Sequence, residues 1–570
     1  MGGQPASGGE LLSVRRRGVV AAVALALALL AAPTPAPAAD APRQVDRPLH
    51  AAMGPDARFV DDLGRQVLLR GVNVNQLGEY YQDDPDVAST VPLTKGEFEA
   101  IAELGFDMVR LLITWSRVEP QPGVIDQAYL GQIRQAVEWA RQSDLYVVVD
   151  MHQDAWGPAV VTPPGTTCPP GFSGNVGWDG APAWATLTDG MSTCKIALRE
   201  ASPAVAQSFT NFYLDRAAPD GVGIQTHLVA AWGAVAGAVA GDPAVVGYDL
   251  INEPNPGYLF GVSDAVLIGH YYARATDAIR ANGGTGMIFF EPLAYWSAAT
   301  VSPGPLPALM TDDNLVFAPH LYAESIAVPG PTIEQGFTNA ETVAATYGAP
   351  WFSGEWGWFG NPVDDAPLVA AYAAQEDAHL AGGAWWQWKQ ACGDPHGIGT
   401  PGSPTPSRSG NLVILDCPAN TEAGLVGEYL PILGRAYPRA APGRLTSLTS
   451  DPTTGLLALA GSTDETGGEL DLWVPDLGLG APVVTGTNIG PATATAVPGG
   501  WRVSAHAASG YELRSVPADS AAAAAAGAAG SAGGTDTRGL PATGATVSWW
   551  PAFALLAVLG LRTVSRRRAA

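Results

Sequence analysis

Two short segments carry carboxylates in settings suited to bond cleavage, Asp249-Leu250-Ile251-Asn252-Glu253-Pro254 and Phe352-Ser353-Gly354-Glu355-Trp356-Gly357. Around them the chain offers Arg110, His152, Asp154, His320, Tyr322 and Trp388, each at or near the end of a β-rich run. A lone acid after a strand is ordinarily a solvated loop residue, but packing alone does not gather several titratable groups on one rim. Cleavage of a glycosidic bond needs this inventory: one carboxyl protonated to help the leaving oxygen depart, another ionised to stabilise or attack the anomeric carbon. Glu355 suits the ionised role if Arg110 and Tyr322 donate to it, because hydrogen bonds to the charged form lower a carboxyl pKa. Glu253 suits the protonated role, and burial against Trp or Tyr is expected to raise its pKa. The Asn252 amide can bond a sugar hydroxyl. His152 and His320 can donate to hydroxyls or orient the acids, and Trp388 offers an apolar face to a pyranose ring. With no HExxH, GxSxG or Gly-rich nucleotide loop beside these residues, no metal or other cofactor is expected and serine-hydrolase chemistry lacks its motif.

The elements that must position these groups alternate. Eight β-rich runs, 67–73, 108–114, 146–151, 246–252, 287–291, 315–320, 351–355 and 383–388, are separated by amphipathic stretches such as Leu130, Ile133, Val137 and Ala140 at helical spacing. Thr94-Lys95-Gly96-Glu97 has the form of a capping box opening one helix. Strands apolar throughout and divided by helices predict a parallel sheet buried on both faces, and eight such units predict a (β/α)8 barrel over 45–440. The alternative, a doubly wound open sheet, would want a phosphate-binding glycine fingerprint after the first strand, and Arg70-Gly71-Val72-Asn73 is not one. Residues 441–516 hold short strands split by Gly, Asp and Pro with no helical period, which predicts a small β-sandwich. Its two Trp, Trp473 and Trp501, are too few for an aromatic sugar platform, so a structural domain packed on the barrel is expected.

The two glutamate segments resemble the acid/base and nucleophile signatures of glycoside hydrolase family 5. Arg110, His152, His320, Tyr322 and Trp388 resemble the rest of that family's set, in the same order along the barrel. The resemblance covers about residues 58–440. It implies a retaining double displacement with Glu355 as nucleophile, Glu253 as acid/base, and the two carboxyls roughly 5–5.5 Å apart. Within the family, Val149-Asp150-Met151-His152-Gln153-Asp154-Ala155-Trp156, and a barrel followed by Tyr437-Pro438-Arg439 and a β-domain, resemble endoglycoceramidases. That likeness implies cleavage between a glycan and ceramide, with Asp154 on a hydroxyl of the sugar beside the scissile bond. The stretch Asn73-Val74-Asn75-Gln76-Leu77-Gly78-Glu79 lacks the Lys that many ganglioside-acting members carry there. A branch preferring galactosyl headgroups and a glucosidase of simpler aglycones are therefore equally open. An endo-β-1,4-glucanase or mannanase is the alternative with the same chemistry; an inactive glycan-binding surface adhesin is a remote one, since both acids are present. The segment 153–197 is too long for an ordinary loop, and its Trp156, Trp178 and Trp184 form either an apolar wall for a lipid or a rigid surface excursion.

The 570-residue chain carries 54 Asp+Glu against 30 Lys+Arg, a formal charge of −24, although both ends are basic. So acidic a body repels phosphate backbones and excludes nucleic acid as a partner; 47% apolar content with 17 Trp excludes general disorder. Arg15-Arg16-Arg17, an apolar run from Val19 to Ala32 and Ala36-Pro37-Ala38 form a secretory signal peptide over 1–39. At the other end an Ala/Gly-rich spacer (517–538) leads to Leu540-Pro541-Ala542-Thr543-Gly544, an apolar stretch from Val547 to Leu561 and an Arg-rich tail. Residues 539–570 resemble the cell-wall sorting signal of Gram-positive surface proteins. The resemblance implies transient membrane insertion, then sortase cleavage and attachment to peptidoglycan through Thr543. An exported, wall-anchored, extracellular protein is expected. Outside the cell, four cysteines favour two disulfides, most simply Cys168–Cys194 and Cys392–Cys417, and their wide spacing disfavours zinc.

Overall fold

The computed structural model describes residues 43–300, 302, 304–326, 330–396 and 410–520. The signal-peptide and sorting-signal expectations, and all but the first four residues of the spacer, lie outside them. Eight parallel strands form the barrel: Arg70–Val74, Met108–Thr114, Tyr146–His152, Val245–Asp249, Met287–Phe290, Leu315–Phe317, Phe352–Trp356 and Gly382–Trp385. The eighth strand pairs with both the seventh and the first, and a parallel bridge from Phe317 to Trp351 links the sixth to the start of the seventh, closing the ring. The second strand, Met-Val-Arg-Leu-Leu-Ile-Thr, is buried along its whole length. Side chains alternate across a strand, so Arg110 and Leu112 share one face while Val109, Leu111 and Ile113 share the other. Leu112 packs with Tyr322 and Trp386, which identifies the face of Arg110 and Leu112 as the barrel interior. The three β-branched and aliphatic residues opposite belong to the main core under the helices.

The helix Gln127–Gln142 shows how a crossover is specified. Asp126 caps it by accepting from the Ala128 and Tyr129 backbone N–H groups at 2.8 and 3.0 Å, and Leu130, Ile133, Val137 and Ala140 form its buried stripe. Full burial of a side chain such as Ile133 contributes about 1.5–3 kcal/mol. The expected capping box at the helix Lys95–Glu103 is not formed. Thr94 is the N-cap residue, but its side chain makes no cap bond. Glu97 is instead drawn inward to Lys389 Nζ, at 2.6 Å, and to Gln76: a buried cation outbids a neutral backbone N–H for a carboxylate. A complete capping box occurs at Thr332 and Gln335, opening the helix Ile333–Tyr347.

A second, antiparallel sheet lies at the N-terminal end of the barrel strands. It unites Leu49–Ala52, Arg58–Asp61 and Arg65–Val67 with Tyr437–Pro442 and the strands that follow it to Pro517. Val67 pairs with Ala440, so the chain passes from this sheet directly into the first barrel strand. The long strand Gly500–Pro517 pairs with Gly468–Pro475 and Thr493–Val497 along its first half, and with Leu456–Ser462 and Pro482–Ile489 along its second. A small core of its own, including Leu445, Leu457, Leu470, Trp473 and Leu513, holds it together. Trp473 Nε1 donates to Gly434 O at 2.9 Å and Tyr437 OH to Gly105 O at 2.9 Å, docking this sheet on the barrel's closed end. Both disulfides, Cys168–Cys194 and Cys392–Cys417, are present and clip loops at the opposite, open end.

Candidate active site

The floor of the open end is one buried guanidinium. Arg110 Nε donates to Asp249 at 3.0 Å, Nη1 to Asn73 at 3.1 Å and Glu355 Oε1 at 2.9 Å, and Nη2 to Asn252 at 3.0 Å and Glu291 at 3.1 Å. Asp150 lies 3.0 Å from Nη2. Burial alone would lower the Arg110 pKa, but Asp150, Asp249, Glu355 and Glu291 together hold it above its ordinary value. Only Arg presents so many donors in one plane, and here they join six strands or strand ends through a single side chain.

Glu355 lies within the seventh strand, and both its oxygens are bonded: Oε1 by Arg110 and Oε2 by the Tyr322 hydroxyl at 2.9 Å. Glu253 lies four residues beyond the end of the fourth strand, at φ 38°. A left-handed backbone is uncommon for a glutamate and marks a position held by its surroundings. The hold is visible: Glu253 N donates to Glu291 Oε2 at 2.8 Å, while Oε1 accepts from Ser297 and lies 2.9 Å from His320 Nδ1. One oxygen of Glu253, one of Glu355 and one nitrogen of His320 all fall within 4.8 Å of each other. That brings the facing oxygens within the range at which two carboxyls act as nucleophile and acid/base on one anomeric centre.

The environment of Glu253 departs from the expectation that burial keeps it neutral. Burial does push its pKa up, but the His320 hydrogen bond and charge, helped by Arg199, pull it net below the ordinary carboxylate value. His320 itself is held well above its usual range: burial opposes its charge, but Glu291 and Glu355 outweigh that. The proton in the free site therefore rests on His320, one hydrogen bond from Glu253.

Asn252 is engaged at both ends, accepting from Arg110 and donating to Gln153 O at 3.0 Å. The Asp154 carboxylate, expected on a sugar hydroxyl, is bonded by Arg199 through Oδ1 and by His396 through Oδ2. Trp388 sits in the main core, 2% exposed. The ring stacked on His152, with centroids 5.4 Å apart and planes at 16°, is Trp386, which also packs with Tyr322. His152 Nδ1 lies 2.7 Å from Asp150 Oδ2. Burial opposes the charge of His152, and Asp179 and Asp150 raise its pKa well above the ordinary value. Ser297, Arg199, Asp179 and His396 complete this rim and were not singled out in the sequence. Asp179 and His396 sit in irregular loops, Arg199 opens a single 3-10 turn (Arg199–Ala201) and Ser297 lies in a short helical turn (Trp296–Ala299); none has a period or a flanking motif.

The three tryptophans of the long loop do not form a lipid wall. Trp156 is buried against Phe209 and Phe212, Trp184 packs on Trp115 and His227, and Trp178 lies beneath Arg199 and beside His396. Exposed apolar side chains occur on that loop at Phe172, Met191, Ile196 and Leu198, and on the three loops that follow the fourth, fifth and sixth strands: Tyr258, Phe260 and Val262, then Tyr295, then Ile326. Phe260 is 66% and Ile326 55% exposed. These are the loops that carry Glu253, Ser297 and Tyr322.

With the geometry defined, relatives are informative. A crystal structure of an endogalactoceramidase is 44% identical in sequence, covers 82% of this chain and 100% of its own, and superposes with a TM-score of 0.75. Endo-glycoceramidase II from Rhodococcus sp., captured as a lactosyl-enzyme intermediate, is 26% identical, covering 81% of this chain and 99% of that one, with a TM-score of 0.62. Endoglycoceramidase I of Rhodococcus hoagii (strain 103S) is 31% identical over 296 residues, 48% of this chain and 53% of that protein. The chain thus spans about half the length of the curated relatives it matches. The model of the cellulase family, glycosyl hydrolase family 5, matches residues 60–391. Since that match runs through all eight strands of the ring and both glutamates, the chain belongs to glycosyl hydrolase family 5 and is a retaining glycosidase.

Proposed function

We propose that this glycosidase hydrolyses the β-linkage between a glycan and the ceramide of a glycosphingolipid, with a galactosyl residue next to the lipid as its preferred headgroup. The observation that carries the lipid reading is the exposed apolar rim on the loops around Glu253. An acid/base stands on the side of the departing oxygen, so what flanks it is what the aglycone meets. Tyr258, Phe260, Val262, Tyr295 and Ile326 suit acyl and sphingoid chains, and the aliphatic Val262 and Ile326 offer no hydrogen bond to a second sugar. The galactosyl preference rests on likeness to the endogalactoceramidase.

In the first step Glu355 attacks the anomeric carbon while Glu253 delivers a proton to the ceramide oxygen, forming a glycosyl ester on Glu355. In the second, Glu253 takes a proton from water, which attacks the same carbon and releases the glycan with the original anomeric configuration. Arg110 and Tyr322 keep Glu355 aligned and hydrogen-bonded as it attacks. The proton for the first step is at hand on His320. An apolar aglycone that removes water from Glu253 strengthens the burial that favours its neutral form, moving that proton toward the carboxyl.

Incubation with a neutral β-galactosyl ceramide carrying an oligosaccharide, with products weighed by mass spectrometry, tests the proposal. Intact oligosaccharide and free ceramide are expected; activity confined to soluble β-glucans would refute the lipid assignment. We also propose export and attachment to the wall through Thr543, on the order of parts at the two ends of the chain. Equal retention of a Thr543→Ala variant in wall fractions would contradict that attachment.

A further inference from the structure

Among the described residues, three groups of acids and imidazoles bring one ligand atom from each member within 4.8 Å of the others: Glu253, His320 and Glu355; Asp150, Asp249 and Glu291; and His152, Asp154, Asp179 and His396. In the first two, protein cations already supply the charge. Arg110 reaches Asp150, Asp249, Glu291 and Glu355, and His320 lies between the catalytic pair. In the third, Arg199 reaches only Asp154 Oδ1 and is shared with Glu200, and the other positive groups are the two imidazoles themselves, which give up a proton when they ligate a metal.

We propose that His152, Asp154, Asp179 and His396 form a binding site for one divalent transition-metal ion of the zinc class, whose occupation blocks the sugar side of the cleft. Both imidazoles are oriented as metal-binding histidines are. His152 Nδ1 lies 2.7 Å from Asp150 Oδ2 and His396 Nδ1 2.8 Å from Asp394 Oδ1. A carboxylate on Nδ1 holds a proton on that nitrogen, so the Nε2 proton is the one a metal ion displaces, and here both Nε2 atoms face Asp154. Asp179 is fully buried, yet neither of its oxygens has a hydrogen-bond partner, and His152 Nε2 has none either. Unpaired buried carboxylate oxygens are unfavourable unless something of opposite charge belongs beside them. Two nitrogens and two carboxylates match the ligand type and number of four-coordinate zinc, and their two negative charges balance a doubly charged ion. Trp178, Trp386 and Tyr80 ring His396 at centroid distances of 5.0, 5.2 and 5.4 Å, shielding the position from water. No free thiol competes, since all four cysteines are in disulfides. His152 comes from the end of the third strand, Asp154 and Asp179 from the loop after it, and His396 from the loop after the eighth strand, so an ion would join two loops that border the catalytic acids.

The test uses the purified protein, stripped by chelator and titrated with cobalt(II), followed by zinc. Expected are one cobalt per chain, the intense visible absorption of four-coordinate cobalt, and its loss when zinc is added. Asp179→Asn and His396→Gln should each weaken binding at least tenfold, Asp394→Asn by roughly 10–100-fold through its histidine, and His379→Gln, on the outer surface, not at all. Zinc should raise KM for a soluble aryl glycoside and leave kcat unchanged. Absence of the four-coordinate spectrum, or undiminished binding by the His396→Gln and Asp394→Asn variants relative to the unsubstituted protein, would overturn the site even if Asp179→Asn failed to fold.

Discussion

The two glutamates that face each other are held by opposite means. Glu355 belongs to a strand, both its oxygens are bonded, and its chief partner Arg110 is tied to Asn73, Asp249, Asn252 and Glu291 on neighbouring strands or just past their ends. Glu253 stands on a loop in a left-handed conformation, and among the described residues only Oε1 is bonded by protein, through Ser297 and His320. The contrast follows the chemistry. A group that must remain an anion is built into the sheet beneath a fixed cation. A group that must gain and lose a proton is placed where it meets the departing oxygen, with one oxygen free and a proton carrier beside it.

Substitutions should separate these two sides, and the strand side should lose most. Glu355→Gln removes the nucleophile while preserving shape, so kcat should fall at least about 10⁴-fold with substrate binding nearly intact; unaltered turnover would remove Glu355 from the mechanism. Glu253→Gln should cost roughly 10²–10⁴-fold on a ceramide substrate, but far less on an aryl glycoside whose leaving group needs no proton. Equal losses on both substrates would mean that Glu253 is not the acid. Tyr322→Phe deletes one of the two donors to Glu355, a bond to a charged group valued at about 1.5–3 kcal/mol, so a loss of about 10–100-fold in kcat/KM is expected. His320→Gln tests the proton side most finely. The His320 charge pulls the Glu253 pKa down, so removing it raises that pKa, but it also removes the group that holds the shared proton well above the usual imidazole range. The alkaline limb of kcat/KM, where the pair loses its proton, should then move to lower pH, toward that of the carboxyl alone. A limb that stays in place or moves up would contradict the coupling.

Much of the rigid side was legible in the sequence, because periodic patterns generate it. Arg110 is a cation in the middle of a seven-residue apolar strand, and Glu355 ends a short buried run; each announces a polar group pointing into a barrel. Tyr322 and His320 follow the sixth strand closely enough to be placed. The loop side was less legible for a physical reason: irregular backbone is specified by tertiary contacts and leaves no local repeat. Asp179 is 25 residues from Asp154 in sequence yet pairs with it in an isolated bridge, and His396 meets Asp154 across 242 positions. Trp385, Trp386 and Trp388 are near-identical in local sequence, and the geometry at the end of the eighth strand is what turns Trp386 toward His152. Local rules also gave way where a buried charge competed, as Glu97 did in leaving its helix cap for Lys389. The three strands before the barrel went unrecognised as part of the C-terminal sheet because only the third touches it, through a mate some 370 residues away, as in Val67 against Ala440, and the first two join it through the third.

The central claim is that Glu355 becomes covalently bonded to the sugar and Glu253 does not. Incubation with a 2-deoxy-2-fluoro glycoside bearing a good leaving group slows breakdown of the glycosyl ester enough to trap it. Mass spectrometry of the digested protein should then find one sugar adduct, on the peptide containing Phe352–Trp356 and at Glu355. An adduct on Glu253 or Glu291, or an active enzyme that yields product of inverted configuration and carries no adduct, would contradict the account.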